Sequence, residues 1–365
     1  MMFRSVLLVF LAFALSWFTP THAEPMPARY ATPLGKIFAA SKAPGMVATI
    51  VDGDQVFTQG FGRTNATNST TPDEHTLVRL NSLSKLMAGE ILASLSHQGA
   101  ISLGDTLQRH APAGRRVPTV PGASAIAIRD LMIHTSGLPR DLPKALWRQR
   151  GAPGDSRWSW LAANRPVRAP GLIAEYSNVA WLLLGDAMEQ AAREPYPELL
   201  QRFVTNPVQL GETTLAPNNR QCARLLAASD ASCDASATTA ASWGVYSTSV
   251  DMARWMQALM NAMPGTAFHT SLQPIVTRES LRGLRALDFA GHTQAIGWGW
   301  LHMTLGGEPV IQKTGGGVRT MNYIIMSPKN KRALFITVSR MDIEMLRRLA
   351  KSANLLMESL LSEAS

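Results

Sequence analysis

Ser82-Leu83-Ser84-Lys85 sets a hydroxyl and an amine three residues apart. The run that follows carries Leu86, Met87, Ile91 and Leu95 and closes near Gly99, the pattern of a buried helix. That spacing puts both polar side chains on one helical face. A serine hydroxyl is a poor nucleophile until a base removes its proton, and a lysine serves when burial or a second cation destabilises its ammonium form. A serine in the first turn also aims backbone amides and the positive helix end at charge developing on a substrate carbonyl. A lone Ser-x-x-Lys arises by chance in a chain of this length. Its weight comes from two further motifs, each present once and in fixed order: Tyr176-Ser177-Asn178 and Lys313-Thr314-Gly315.

Tyr176 supplies a phenol that moves protons to and from a leaving amine, and neighbouring ammonium groups are expected to favour its phenolate. Asn178 offers a paired donor and acceptor to bridge Lys85 and a substrate amide. Lys313 and Thr314 end an expected strand, where an extended substrate lies alongside and presents a carboxylate. Lys313 is also the second cation for Lys85. Gly315, Gly316 and Gly317 let backbone approach a ligand, and the Gly316 amide is a candidate second oxyanion donor beside that of Ser82. Taken singly, each motif reads as a helix cap, a helix start or an ordinary strand end. Jointly, placed on helix, loop and strand as acyl transfer requires, they read as a serine acyl-transfer site.

Around the motifs the chain divides by pattern. Residues 45–51 and 55–61, joined by Asp52-Gly53-Asp54, predict a hairpin. Residues 296–303, 309–313, 321–326 and 333–338 predict strands, and 342–361 a closing helix with an apolar stripe of Met345, Leu346, Leu349, Leu355, Leu356 and Leu360. Residues 178–193 and 250–263 predict helices, the second started by Ser249 and Asp251, while 111–121, 138–143 and 151–154 read as surface loops. The expected fold class is α+β: an antiparallel sheet built from both ends of the chain and flanked by helices, with a mostly helical lobe inserted. The α/β lobe spans about 24–100 and 240–365, and the helical lobe about 101–239.

The chain has 365 residues and is 46% hydrophobic, enough to bury a large core. The apolar run 6–18, ahead of Pro20 and Thr21-His22-Ala23, reads as a secretory leader over 1–23. Removing it takes one cationic charge, Arg4, from a formal net charge of +9, and the remainder stays strongly basic. Such a surface is drawn to anionic polymers or phospholipid headgroups, a peripheral contact that salt weakens; scattered cations and export argue against nucleic acid. Cys222 and Cys233 are the two cysteines. In an oxidising compartment they are expected to pair, contributing about 3 kcal/mol through loop closure. No zinc, nucleotide or Gly-x-Ser-x-Gly motif occurs, the histidines are isolated, and no metal or cofactor is expected. His134 is read as ordering the loop after its helix.

The order and context of the three motifs resemble the serine β-lactamase and penicillin-binding protein superfamily, within it the class C branch with its Tyr-x-Asn second motif. Leu131-Met132-Ile133-His134-Thr135-Ser136-Gly137-Leu138-Pro139 and Gly244-Val245-Tyr246-Ser247-Thr248 strengthen the resemblance, which runs over about 45–338. It implies the β-lactamase/transpeptidase-like fold, acylation of Ser82, proton transfer by Lys85 and Tyr176, and carboxylate recognition by Lys313 and Thr314. It further implies a periplasmic D-alanyl-D-alanine carboxypeptidase/endopeptidase whose partners are peptidoglycan stem peptides and β-lactams. Three other readings share these residues: a class C-type β-lactamase, an esterase or amidase, and a penicillin- or cell-wall-binding protein without turnover. The pattern departs after Gly317, where Arg319 reads as a solvent-facing strand residue, with carboxylate binding as the alternative.

Overall fold

A computed structural model describes residues 26–147, 154–229, 232–235, 237–317, 319–340 and 342–363. The leader expected over 1–23 and most of the loop expected over 151–154 lie outside the described residues, as does Val318. The expected hairpin forms from β1 (Gly45–Asp52) and β2 (Gln55–Gly62), in register from Gly45 opposite Gly62 to Asp52 opposite Gln55. Six later strands complete the sheet: β3 (Pro274–Thr277), β4 (Ala295–Gly297), β5 (Leu301–Leu305), β6 (Glu308–Gly316), β7 (Met321–Ser327) and β8 (Arg332–Val338). Their order is β2-β1-β8-β7-β6-β5-β4-β3, so the first hairpin joins the last strand, Met46 opposite Val338 through Asp52 opposite Arg332. The sheet is thus drawn from both ends of the chain, as the two hydrophobic patterns require. The single strand expected over 296–303 is instead two, because Gly299, at φ +97°, turns the chain between β4 and β5.

The period of two in these strands separates two cores. Met46, Ala48, Ile50, Tyr323, Ile325, Leu334 and Ile336 face one side, where α1 (Ala28–Ser41) and the C-terminal helix α5 (Ile343–Ser362) cover them. Asp342 starts α5 by accepting hydrogen bonds from the amides of Glu344 and Met345. The stripe of α5 is narrower than the apolar count suggests: Leu356 and Leu360 are buried, whereas Leu355 falls on the solvent side at 58% exposure. The other face of the sheet, with Val47, Val51, Ile324, Met326 and Phe335, packs on α2 (Ser84–His97), α3 (Asn178–Ala192) and α4 (Ser249–Met260). α4 begins one residue earlier than its charge pattern suggests, since Thr248 Oγ1 caps it by accepting from the Asp251 amide. Every residue of α2 from Ser84 to Leu95 is buried, so this helix runs through the middle of the protein. Among the described residues no helix is long and apolar enough to cross a membrane.

Candidate active site

The nucleophile turn is held from three directions. Asn81–Leu83 forms a short 3-10 turn that runs into α2, with Ser82 at its centre. Asn81 has φ +50°, an unfavourable region for a residue with a Cβ, and its amide group compensates by donating to Thr320 Oγ1 at 3.0 Å. From β7, Asn322 Nδ2 donates to the carbonyl oxygens of Arg79 and Leu80, both at 2.9 Å, and Thr337 Oγ1 fixes Asn322 by donating to its Oδ1. The end of β6 approaches the same turn so closely that a Cβ on Gly315 would meet the Leu80 oxygen at 2.6 Å, and one on Gly317 would meet Asn81 Oδ1 at 2.4 Å. Those two glycines therefore serve the packing of strand against nucleophile turn rather than the approach of a ligand. Gly316, between them, is exposed towards the cavities beside Ser82.

Ser82, Lys85, Tyr176 and Asn178 meet at this point, although the last two arrive from far along the chain. Tyr176 OH lies 2.6 Å from Ser82 Oγ, and Lys85 Nζ lies 3.4 Å from it. Lys85 Nζ donates to the Ser242 carbonyl oxygen at 2.8 Å and to Asn178 Oδ1 at 2.9 Å, with Ser242 Oγ also at 2.9 Å. Burial, reinforced by Lys313 and Arg140, holds the Lys85 amine well below the usual lysine range. The two oxygens without a proton to give occupy the two N–H groups of a neutral amine, which leaves its lone pair towards the hydroxyls of Ser242 and Ser82.

The phenolate expected at Tyr176 is not what the surroundings support. Burial pushes the Tyr176 phenol up to about 12, against the opposing pull of Ser82 and Arg140, so it stays protonated near neutral pH. Desolvation is the largest influence on the phenol, and Ser82 and Arg140 offset only part of it. Lys85, Lys313 and Arg140 all lie close to the Tyr176 ring, 5.1, 4.9 and 5.0 Å from its centroid. His134 acts here as a positioning group. It sits at φ +65° after the helical turn Ile128–Met132, its Nδ1 accepts from the Ser177 amide at 3.0 Å, and its ring packs 4.7 Å from that of Tyr176.

Lys313 Nζ makes no hydrogen bond or ion pair within the described residues, yet its side chain is only 2% exposed. Burial first, and Arg140 second, bring it down to about 7. Beyond it an open edge begins. The β5 partner of β6 covers only Glu308 to Gln312, while β7 pairs β6 on the other side as far as Gly316. Lys313 to Gly316 therefore present free strand edge in front of Ser82, where an extended peptide can add as a strand.

Three contributors were not singled out from the sequence. The loop 138–143, read as a surface loop, is anchored by buried Leu138 and Leu142 and reaches the site. Its Arg140 packs on Tyr176, and Asp141 Oδ1 accepts from Asn178 Nδ2 at 2.7 Å. That bond orients the Asn178 amide with its oxygen on Lys85 and occupies one of the two hydrogens expected to reach substrate. Ser242 lies in the turn Ala240–Gly244, just ahead of the stretch noted at Gly244, and no spacing rule marks it. Arg319 lies after the end of β6 and not in a strand; it is half-buried, and its Nη1 donates to Ser232 Oγ at 2.5 Å. Cys222 and Cys233 form the expected disulfide, with Cα atoms 5.8 Å apart. Among the described residues no three His, Cys, Asp or Glu side chains gather as a metal site.

Comparison with known proteins places this geometry among relatives. A family model described as Beta-lactamase matches residues 30–356. The D-alanyl-D-alanine-carboxypeptidase/endopeptidase AmpH of Escherichia coli (strain K12) is 35% identical over 352 residues, covering 92% of this chain and 89% of that protein. A Beta-lactamase of Yersinia enterocolitica is 27% identical over 300 residues, covering 80% of this chain and 72% of that protein. Among solved structures, the Beta-lactamase/D-alanine Carboxypeptidase from Yersinia pestis complexed with citrate superposes with a TM-score of 0.82 at 33% identity, covering 90% of this chain and 98% of that one.

Proposed function

Because the chain belongs to the Beta-lactamase family, we propose that it is a serine D-alanyl-D-alanine carboxypeptidase/endopeptidase that cleaves peptidoglycan peptides through an acyl-enzyme on Ser82 and binds penicillins at the same residue. The observation that carries this reading is the buried Lys85 amine, saturated by Asn178 and Ser242 and facing Ser82 beside the free edge of β6. The 35% identity to a named D-alanyl-D-alanine-carboxypeptidase/endopeptidase over 92% of the chain supports the substrate class.

In the reaction, neutral Lys85 takes the Ser82 proton as Oγ bonds to the scissile carbonyl carbon. The oxyanion that forms meets the amides of Ser82 and Gly316. The Tyr176 phenol gives its proton to the leaving nitrogen as the C–N bond breaks, and the proton held by Lys85 restores the phenol. D-alanine departs, and water cleaves the ester by the reverse proton path. Lys313 and Thr314 hold the substrate carboxylate, and Asn178 holds Lys85 in place while its second amide hydrogen meets the peptide. The leader over 1–23 and the disulfide fit an exported, periplasmic protein, whose basic surface makes peripheral contact with the sacculus or an anionic membrane.

Intact mass spectrometry with benzylpenicillin, followed over time and paired with D-alanine release from a pentapeptide, tests the reading. A penicilloyl adduct lasting minutes, lost in Ser82→Ala, together with D-alanine release, is the expected result. Rapid drug turnover with little adduct and no D-alanine release would replace it with a β-lactamase, the reading that differs only in how fast water clears the ester.

A further inference from the structure

Two cavities meet at Gly316, beside Ser82. One, of about 270 Å³, contains Ser82, Tyr176, Lys313 and Thr314 and is the place for the C-terminal carboxylate of the peptide. The other, of about 400 Å³, continues past Asn178 and is walled by Arg79, Asn81, Trp243 and Arg319. A peptide whose carboxylate sits at Lys313 and whose scissile carbonyl sits at Ser82 must send its acyl half into this second space.

The wall of that space holds a cation with no hydrogen-bond acceptor among the described residues. Arg79 makes no hydrogen bond or ion pair with any described residue, and its Nε is buried without an acceptor. Only the face of its guanidinium is used, packed 5.3 Å from the Tyr246 ring centroid. The strand pairing does not depend on this side chain, since it is the Arg79 backbone that pairs with Tyr246 and accepts from Asn322. An incoming oxygen pair would recover the cost of leaving such a donor unpaired. Arg319 lies on the same wall and holds Ser232. Of the two carboxylates that border the space, Asp141 is taken up by Asn178 and Arg140, and Asp234 is exposed to water.

We infer that the cavity walled by Arg79, Asn81, Trp243 and Arg319 is a subsite for a carboxylate carried by a side chain in the acyl half of the substrate, an inference that rests on the peptidase reading above. It makes the enzyme selective for peptides with a free acid upstream of the scissile bond.

The test uses two synthetic peptides ending in D-Ala-D-Ala, identical except that one carries a free side-chain carboxylate upstream and the other its primary amide. Each is measured as a competitor of fluorescent-penicillin labelling of Ser82, a readout that needs binding but no peptide turnover. The free acid is expected to compete at about tenfold lower concentration than the amide, the margin of a charged over a neutral oxygen acceptor. Arg79→Gln should bring the two together with its melting temperature unchanged, and Arg79→Lys should keep part of the difference. Equal competition in the parent protein, or a tenfold difference that survives Arg79→Gln, would overturn the subsite. D-alanine release is scored separately, so loss of the peptidase reading shows as absent release while the competition ratio still decides the subsite.

Discussion

Lys85 and Lys313 are the same residue type, equally buried and nearly equidistant from one phenol ring, at 5.1 and 4.9 Å, yet the protein treats them differently. Lys85 is surrounded by acceptors from Asn178 and Ser242. Lys313 has none among the described residues and opens on the cavity beside Ser82. Burial lowers both, so it alone cannot assign their work. What distinguishes them is where the N–H groups go. Acceptors supplied by the protein make Lys85 a standing base. At Lys313, their absence leaves a site near its titration point that an arriving carboxylate completes and charges.

The sharpest way to break this contrast is to make Lys85 permanently cationic. In Lys85→Arg the guanidinium cannot give up its proton, and penicillin acylation of Ser82 should slow by about 10³- to 10⁴-fold, the scale of a lost general base. Acylation at the parent rate would show that Lys85 is not the base. At Lys313 the effect should be smaller and confined to ligands with a carboxylate. Lys313→Met should lower kcat/KM for a D-Ala-D-Ala peptide by about a hundredfold, as expected for one charged hydrogen bond. An ester of the same peptide, lacking the terminal carboxylate, should lose little. An equal loss on both would give Lys313 a role in the chemistry.

The pH profile separates the two lysines without mutation. An amine with a lowered pKa is cationic below that value and neutral above it. Lys313 therefore attracts the substrate carboxylate at lower pH, and the attraction fades as pH rises through about 7 in the free enzyme. The expected observation is a KM that climbs above pH 7, flattened in Lys313→Arg, whose charge persists throughout. A KM that stays level in the parent protein across that range would contradict the assignment.

How much of this could be read in advance follows from which forces act locally. The strand periodicity of the first hairpin and the last four strands, and the stripe of α5, are local patterns, and they yielded the sheet and its covering helix with small errors. Leu355 was miscounted because an apolar residue on a helix need not share the buried face. Gly299 was passed over because one glycine in an apolar run reads as strand until its neighbours are seen to fold back. At the site, Ser82 and Lys85 are three residues apart and their spacing carries the geometry. Ser242, Arg140 and Asp141 reach the same few ångströms from distant loops, and no periodicity marks them. The Tyr176 phenolate was expected from nearby amines. The error lay in counting nearby amines before knowing that burial weakens their charge and raises the phenol itself.

Glu90, one turn and a little beyond Lys85 on α2, tests the same rule on an acid. It is fully buried, its Oε1 accepts from Trp255 Nε1 at 2.8 Å, and its Oε2 has no partner. Burial pushes its carboxyl up to about 8, against the weaker pull of that hydrogen bond, so the acid is mostly neutral at pH 7, and burial works against charge here as it does at Lys85. In the unfolded chain the same group is ionised above about 4.5, so the folded state takes up a proton that the unfolded state has released. Stability therefore carries no penalty from Glu90 below about pH 4.5. It loses ground steadily as pH rises towards 8, where the penalty levels off. Glu90→Gln removes the titration and keeps an oxygen for Trp255. Set against the extra N–H that it buries, a cost that does not change with pH, it should raise stability by about 2 kcal/mol at pH 7 and lower it by about 1 kcal/mol at pH 4.5. Urea unfolding of both proteins across that range measures the difference directly. A gap that does not widen with pH would mean that Glu90 is ionised in the folded protein, and that burial on α2 does not neutralise the groups it encloses.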